Sequence, residues 1–237
     1  MPRNYSIYED ASFQQRLWRP TLQSGCHCDL DGTDIARMSL VSAEKLSGWT
    51  CKIMGSTLSQ STDSKRPVLF RSNGRVNGVK FTAALQTTLT FGTPITGSNF
   101  TALILTTEQT ATTTQEPFYN GNSGANGWGF LNNWSSDLNK MQGLYGGVAV
   151  LQSSAPRTAG SSYLTILSRL STSNYFEVNG ISYSVANSGF NAPDTGMSVG
   201  ADAQFGGGWY DGVIHSLFIF TKTLTDYERK RAAAYIS

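Results

Sequence analysis

Residues 205–220 decide the fold, and they read Phe205-Gly-Gly-Gly-Trp-Tyr-Asp-Gly-Val-Ile-His-Ser-Leu-Phe-Ile-Phe220. From Gly212 onward the stretch is rich in β-branched and aromatic residues, and apolar side chains fall on both alternating sets. Such a pattern predicts a strand that is buried on both faces. Shortly after it, Thr225-Asp-Tyr-Glu228 forms a capping box, in which the two outer side chains satisfy backbone N–H groups at a helix start. The chain is therefore predicted to end in a buried strand and a short helix.

The rest of the chain has the pattern of short strands separated by turns. Asn179-Gly180, inside residues 175–184, is the strongest short hairpin signal in the chain. Residues 100–106, 147–152 and 162–168 are β-rich and apolar, and we interpret them as further buried strands. Turn dipeptides recur between such runs, at intervals typical of a sandwich. We therefore predict an all-β fold, an antiparallel β-sandwich with a short C-terminal helix.

Composition agrees with one large β domain. The chain has 237 residues with 24 glycines, 11% aromatic and only 14% charged residues, and its formal net charge is +2. Sandwiches of this length commonly form single domains. A nearly neutral chain gives no reason to expect a polyanionic partner, and no nucleic-acid-binding motif is present. The apolar runs are too short to cross a bilayer, so we expect no membrane insertion.

Several short segments resemble a laminin-G-like domain of the concanavalin A-like lectin/glucanase superfamily, of the kind found in bacteriophage virion proteins. In the C-terminal half they are Glu177-Val-Asn-Gly180, Ser198-Val-Gly-Ala201, Tyr210-Asp-Gly-Val-Ile214 and Leu224-Thr-Asp-Tyr-Glu228. In the N-terminal half they are Ser47-Gly-Trp49, Arg66-Pro-Val-Leu69 and Asn77-Gly-Val-Lys-Phe81. The resemblance covers residues 25–237 and implies a concanavalin A-like jelly roll there.

Residues 1–24 differ from the rest, because they carry charges of both signs and show no sustained period. Four aromatic residues lie in this segment: Tyr5, Tyr8, Phe13 and Trp18. One interpretation is a strand-and-loop entry into the sandwich. The other is an extended assembly arm that packs on a neighbouring subunit, since so many aromatic residues are unusual in a merely solvated tail.

The sequence lacks the usual catalytic patterns of the superfamily that it resembles. A retaining glycosidase needs two carboxyl groups about 5–5.5 Å apart, and sandwich glucanases supply them from alternate residues of one strand. No such carboxylate cluster occurs here. The chain has only two histidines, His27 and His215, and no nucleophile elbow, so a serine triad is not expected either. We therefore predict a protein without catalytic residues.

Glycan-binding candidates come from aromatic, amide and carboxylate side chains in predicted loops. The first group is Trp128, Asn132 and Trp134, and the second is Trp209, Tyr210 and Asp211. The alternative is that these aromatic residues cap the core and that the asparagines form turns. No cofactor is predicted from the residues themselves. The resemblance implies Ca²⁺ binding through an Asp and loop carbonyls, for which Asp202 is the candidate.

The cysteine content leaves three alternatives open. Cys26, Cys28 and Cys51 are odd in number, and they lack the usual Cys-x-x-Cys spacing of zinc sites. They can be free buried thiols, they can include a disulfide from Cys26 or Cys28 to Cys51, or they can contribute to a metal site.

The predicted function follows from the resemblance together with the N-terminal residues. Residues 1–5 lack the apolar core of a secretory signal, although this fold mostly acts outside cells. A virion protein is made in the host cytoplasm and released by lysis, so it can act outside the cell without a secretory signal. We thus expect a homo-oligomeric phage virion protein (capsid decoration, fibre or tail-associated). Its expected partners are a capsid or tail subunit and a cell-surface glycan. The alternatives are a stand-alone carbohydrate-binding lectin and, less favoured, a glycan hydrolase or lyase.

Overall fold

The computed structural model describes residues 19, 22–110, 113–133, 139–146, 149–171, 173–186, 189–202 and 206–236. Within these ranges the chain forms two antiparallel sheets packed face to face, with one helix near the C-terminus. The predicted all-β sandwich with a C-terminal helix is confirmed. The predicted arm aromatics Tyr5, Tyr8, Phe13 and Trp18 lie outside the described residues, and the division at residue 24 stays a prediction.

The strands follow one another as β1 (Cys26–Asp31), β2 (Met38–Leu40), β3 (Leu46–Thr50), β4 (Thr57–Ser59), β5 (Val68–Ser72), β6 (Arg75–Phe81), β7 (Leu89–Phe91), β8 (Phe100–Glu108), β9 (Gln115–Asn120), β10 (Trp128–Asn132), β11 (Lys140–Tyr145), β12 (Ala149–Pro156), β13 (Ser162–Leu170), β14 (Ser173–Val178), β15 (Ile181–Ala186), β16 (Met197–Val199) and β17 (Gly212–Phe220). The helix, α1, is Asp226–Ile236, and short 3-10 turns occupy Ile35–Arg37, Asp63–Lys65 and Ala83–Leu85.

The two sheets differ in what covers their outer faces. Sheet I has the order β15-β14-β13-β8-β17-β6-β5, with β1 also paired to β17. Sheet II has the order β12-β11-β10-β9-β16-β7-β4-β3-β2. The main core lies between the sheets, and a second, smaller core lies between sheet I and α1. Sheet I is therefore covered by protein on both faces over its centre.

The strand β17 is buried on both faces, as its sequence predicts. Leu217 and Ile219 point into the main core, whereas Phe218 and Phe220 pack against Leu224 and the helix on the outer face. Full burial of each such side chain is worth about 1.5–3 kcal/mol. This double burial fixes α1 on the outer face of sheet I.

The capping box also forms as predicted. The Thr225 backbone N–H donates to Glu228 Oε2 at 2.8 Å, and the Glu228 backbone N–H donates to Thr225 Oγ1 at 3.3 Å. Just before it, the Leu224 N–H donates to Thr101 Oγ1 of β8 at 2.9 Å. The start of the helix is thus capped by its own side chains and tied to the sheet beneath it.

The predicted hairpin joins β14 to β15 and is anchored to the next strand. Asn179 and Gly180 have φ angles of 47° and 83°, the left-handed pair that a two-residue hairpin turn of type I′ requires. The Leu164 N–H of β13 donates to Asn179 Oδ1, and the Asn179 N–H donates to the Leu164 carbonyl, both at 2.9 Å. The turn is therefore tied directly to β13 of sheet I.

A bulge in β17 brings His215 to the surface of sheet I. It lies between Ile214 and Ser216, where the neighbour of β17 changes from β6 to β1. The backbones approach closely here, because a Cβ on Gly32 would lie 2.5 Å from the His215 carbonyl oxygen. At Gly78, where φ is +150°, a Cβ would lie 2.6 Å from a Val213 methyl carbon. Glycine at both positions is what lets three strands meet around the histidine.

One polar stretch contributes residues to the core, contrary to what its composition indicates. Residues 106–115 have the composition of an exposed loop or edge ribbon, yet Thr106 and Glu108 belong to β8, Gln115 belongs to β9, and all three are buried. Glu108 is held there by polar partners inside the core, which composition alone does not reveal.

Among the described residues, no helix is long and apolar enough to cross a membrane.

Candidate functional site

Two of the three residues in the first predicted glycan-binding group are described by the structure, and both lie in the core. The Trp128 side chain is fully buried in the central strand β10, and its ring stacks on Phe100 with centroids 4.0 Å apart. Asn132 is also buried, and its amide oxygen accepts from Arg157 Nη1 at 2.8 Å in the orientation that satisfies both groups. Trp134 is outside the described residues. Because a sugar can contact only accessible side chains, Trp128 and Asn132 are corrected to structural residues.

In the second predicted group, the middle residue is buried and its two neighbours are accessible. Tyr210 is fully buried and donates from its hydroxyl to Glu108 Oε1 at 3.1 Å, so it is likewise a core residue. Trp209 and Asp211 are half-buried at the surface. Lys65 Nζ lies 5.7 Å from the centre of the Trp209 ring and covers it as a cation–π contact. Only these two residues of the group remain accessible.

Beneath this surface lies a buried ion pair that sequence reasoning missed. Arg157 Nη1 is 2.5 Å from Glu108 Oε2, and both side chains have no exposed area. Burial raises the pKa of Glu108, whereas the Arg157 charge and the Tyr210 and Thr106 hydroxyls act to lower it. Because neither charge reaches solvent, the pair organises the core and offers nothing to a ligand.

Asp202, the Ca²⁺ candidate, is fully buried and accepts from the Ser123 backbone N–H at 2.6 Å. Burial, and then the charge of Asp202, raises the pKa of the neighbouring Glu116 to about 8. The Asp202 and Glu116 carboxyl groups therefore lie close together in the core, and neither side chain is accessible at the surface. Across the described ranges no group of three or more His, Cys, Asp or Glu is placed to hold a metal ion. Ca²⁺ binding at Asp202 stays a prediction.

The three cysteines are free thiols in this structure. The Cys28 thiol hydrogen-bonds to the sulfur of Cys51, and this bond is the main cause that lowers the pKa of Cys51 to about 6. The Asp29 and Met54 backbone N–H groups also donate to the Cys51 sulfur, at 3.3 and 3.4 Å. Of the three sequence alternatives, the structure has free thiols, and no bridge joins Cys26 or Cys28 to Cys51.

An accessible surface with the shape of a binding site lies beside α1, on the outer face of sheet I. An open cavity of about 450 Å³ runs between the helix and the β14–β15 hairpin, and we call it the helix groove. Leu164 of β13 lines it between these two walls. The lining residues are Leu164, Glu177, Asn179, Gly180, Ser182, Asp226, Arg229, Lys230 and Ala233. Its volume lies within the usual range for small-ligand sites, roughly 300–1,000 Å³.

The polar side chains of the helix groove are partly ordered by contacts with one another. Arg229 donates from Nη1 to the Leu224 carbonyl at 3.0 Å and from Nη2 to Asp226. Ser182 Oγ lies 3.4 Å from Glu177 Oε2 across the hairpin. A smaller depression, lined partly by Tyr175, shares Glu177, Ser182 and Arg229 with the groove and adds an aromatic ring at its margin. The groove therefore offers carboxylate, hydroxyl, amide and cationic groups around an apolar patch.

Comparisons with known proteins bear on the fold. No protein-family model and no curated protein sequence matches this chain. A solved structure of Trypanosoma rangeli sialidase with sialic acid matches with a TM-score of 0.62 and 14% identity over 88% of this chain, which spans about a third (32%) of that protein.

Two carbohydrate-binding structures match over almost their whole length. Domain 4 of a GH43 extracellular arabinanase from Geobacillus stearothermophilus, bound to arabinotriose, gives a TM-score of 0.51 and 11% identity, covering 89% of this chain and 96% of that one. The CBM40 of Ruminococcus gnavus IT-sialidase, bound to α2,3-sialyllactose, gives 0.52 and 12%, covering 67% and 96%. At such identities the likeness establishes architecture. The chain has the concanavalin-like, jelly-roll β-sandwich fold of lectin-type domains.

Proposed function

We propose that this protein is a lectin-like, carbohydrate-binding domain that holds a glycan in the helix groove without cleaving it. The observation that carries the proposal is the groove itself, an open, preformed cavity lined by hydroxyl, amide and charged side chains around Leu164. Sugars present hydroxyl groups that both donate and accept, together with apolar C–H patches. A surface that alternates donors, acceptors and one apolar contact is complementary to them.

The comparisons support this proposal at the level of the fold. The arabinanase domain and the CBM40 are sandwiches of this kind that were solved with oligosaccharides bound. Which glycans those proteins hold says nothing about the groove here, since the identities are only 11% and 12%. The lectin alternative of the sequence analysis is thus better supported than the virion role.

Binding without cleavage is proposed from the positions of the carboxyl groups. Glu116 and Asp202, which are close enough to interact electrostatically, are 3% and 0% exposed and cannot reach a substrate. The helix groove does have a carboxyl group on each wall, but Glu177 is hydrogen-bonded by Ser182 and Asp226 is paired with Arg229. A glycosidase needs two carboxyl groups that are free to act as acid and as base or nucleophile on opposite sides of the scissile bond.

The more specific expectations from the sequence remain predictions. Nothing in the comparisons supports a laminin-G-like relationship, a phage capsid or tail partner, a virion location or a homo-oligomer. The arm that would dock the protein lies mostly outside the described residues. A glycan partner is the one expected partner that the groove supports.

A glycan array with a groove-blocking variant tests the proposal. Ser182→Trp places a large ring at an exposed position of β15 in the groove, and Ser59→Trp places the same ring on exposed β4 of sheet II as the matched control. We expect the wild-type chain and Ser59→Trp to bind the same glycans and Ser182→Trp to lose at least tenfold in affinity, with no release of reducing sugar. Absence of any glycan binding, or equal binding by Ser182→Trp, would overturn the proposal.

A further inference from the structure

A second cavity opens beside the helix groove on the same face of sheet I. It has a volume of about 430 Å³, and we call it the histidine cavity after His215, which lines it together with Thr33, Asn77, Leu105, Ser162 and Ser216. Leu164 and Asn179 line both this cavity and the helix groove. The two cavities therefore meet at the hairpin turn, and Ile236 at the end of α1 borders the second one.

The polar groups of the histidine cavity are ordered by a chain of hydrogen bonds. His215 Nδ1 bonds to the Asn77 backbone carbonyl, which can only accept, so Nδ1 carries a proton. His215 Nε2 lies 2.8 Å from Thr107 Oγ1, which in turn lies 2.7 Å from Ser162 Oγ. Burial lowers the pKa of His215, so the ring is neutral at neutral pH and Nε2 is an acceptor.

The donor and acceptor in each of these hydrogen bonds follow from the tautomer of His215. Because Nε2 accepts, Thr107 donates its hydroxyl proton to His215, and Ser162 then donates to Thr107. The exposed Ser162 oxygen is left with its lone pairs toward the cavity. It is thus a fixed acceptor for the hydroxyl group of a ligand, aimed by a relay that is complete before binding.

The two cavities differ in charge. The helix groove carries Glu177, Asp226, Arg229 and Lys230, whereas the lining residues described for the histidine cavity are all neutral. A charged substituent entering the histidine cavity would lose water without gaining an opposite charge. This half of the face suits an uncharged, hydroxyl-bearing group.

We propose that the helix groove and the histidine cavity are consecutive subsites of one cleft, and that its ligand is a linear oligosaccharide whose neutral sugars pass Asn179 and bond to Ser162. This inference rests on the proposed function and adds the class of ligand: a chain of several sugars, neutral where it occupies the histidine cavity, rather than a single terminal sugar. Each cavity alone falls in the size range of small-ligand sites, so each accommodates sugar units of its own.

Titration calorimetry on the full chain tests the inference with a panel of defined length. The probes are arabino-, xylo-, cello- and malto-oligosaccharides of one to six residues, with α2,3-sialyllactose as a short acidic probe. We expect one neutral series to gain at least tenfold in affinity once the chain is long enough to span both cavities.

Two variants test whether the gain in affinity with oligosaccharide length arises in the histidine cavity. Asn77→Trp fills the histidine cavity from an exposed position and should abolish the gain, leaving the affinity for the shortest bound chain unchanged. Ser162→Ala removes the fixed acceptor together with its hydrogen bond to Thr107, and it should weaken the binding of long oligosaccharides by roughly two- to tenfold. Ser59→Trp is the control for Asn77→Trp, and unchanged melting temperatures show that each variant is folded.

The outcomes separate this inference from the proposed function. Binding that is lost in Ser182→Trp but shows no gain with length, or a gain with length that persists in Asn77→Trp, would overturn the two-subsite cleft and leave the lectin function standing. Binding of sialyllactose alone would do the same. Failure of every probe to bind would count against both.

Discussion

Breaking the buried ion pair of Glu108 and Arg157 should destabilise the protein far more than breaking a surface pair. Their charged atoms are 2.5 Å apart and neither side chain is exposed. Replacing Arg157 by Met leaves the Glu108 carboxyl with two hydroxyl partners, Thr106 at 3.2 Å and Tyr210 at 3.1 Å. Removing one partner of a buried pair costs about 3–5 kcal/mol. At roughly 2–4 °C per kcal/mol for a chain of this size, the melting temperature should fall by about 6–20 °C.

The loss should depend on pH, because burial already raises the pKa of Glu108 in the intact protein. Without Arg157 the folded state holds the Glu108 proton to higher pH than the unfolded state does. The unfolded state then binds fewer protons above the ordinary Glu pKa, so the stability of Arg157→Met should decline as pH rises from about 4.5. The double variant Glu108→Gln with Arg157→Met removes the buried charge and should recover most of the loss.

Urea unfolding followed by tryptophan fluorescence at pH 5 and pH 8 measures these differences. The control is Arg71→Met, which breaks an exposed pair in which Arg71 Nε and Glu44 Oε1 are 3.4 Å apart, with the side chains 40% and 55% exposed. That change should cost less than about 1 kcal/mol. If Arg157→Met were no more destabilising than Arg71→Met, or if its loss of stability relative to the wild-type protein were the same at both pH values, the assignment of a charged buried pair would be wrong.

Three further predictions concern the helix cap, a buried carboxyl group and the thiols. Thr225→Ala should lower the free energy of unfolding by about 1 kcal/mol through loss of the N-cap, and unchanged urea unfolding would contradict the capping role. Glu116 has a folded-state pKa of about 8 against 4.5 ordinarily, so stability should fall as pH rises between these values. Glu116→Gln should flatten that part of the stability profile, and a profile identical to wild type would refute it. Alkylation of the denatured, unreduced chain should add three groups, at Cys26, Cys28 and Cys51, whereas a single addition by mass spectrometry would reveal a disulfide.

The parts of the fold that could be predicted from the sequence are those determined by local physical chemistry. The strand Gly212–Phe220 is apolar on both alternating sets, which only a doubly covered strand satisfies. The Thr225 cap and the Asn179-Gly180 turn need only a few consecutive residues, since a cap and a two-residue turn are built from their own backbone.

The aromatic candidates show where residue type stops being informative. Trp128 and Trp209 both lie among glycines and polar residues, yet one is stacked in the core and the other is half-exposed beside Lys65. The difference arises because β10 lies between β9 and β11 in sheet II and turns Trp128 inward. The sequence alone does not say which face of that strand meets the other sheet.

The helix groove was missed for a related reason. Its two walls are the hairpin at Asn179 and the helix capped at Thr225, and both were predicted individually. They form a groove because β13 pairs with β14 on one side and with β8 on the other, while β8 in turn pairs with β17, which carries the helix. These are long-range pairings that no local pattern specifies. A site built between two predicted elements becomes visible only once the strand order of sheet I is known.

The central claim is that the helix groove binds a glycan, and the most direct measurement is an amide chemical-shift titration with the glycan that binds most tightly on the array. The account predicts saturable shifts centred on Leu164, Ser182 and Lys230, with little change at Trp209 and Asp211. Shifts centred on Trp209 and Asp211, or no saturable shifts at any amide, would contradict it.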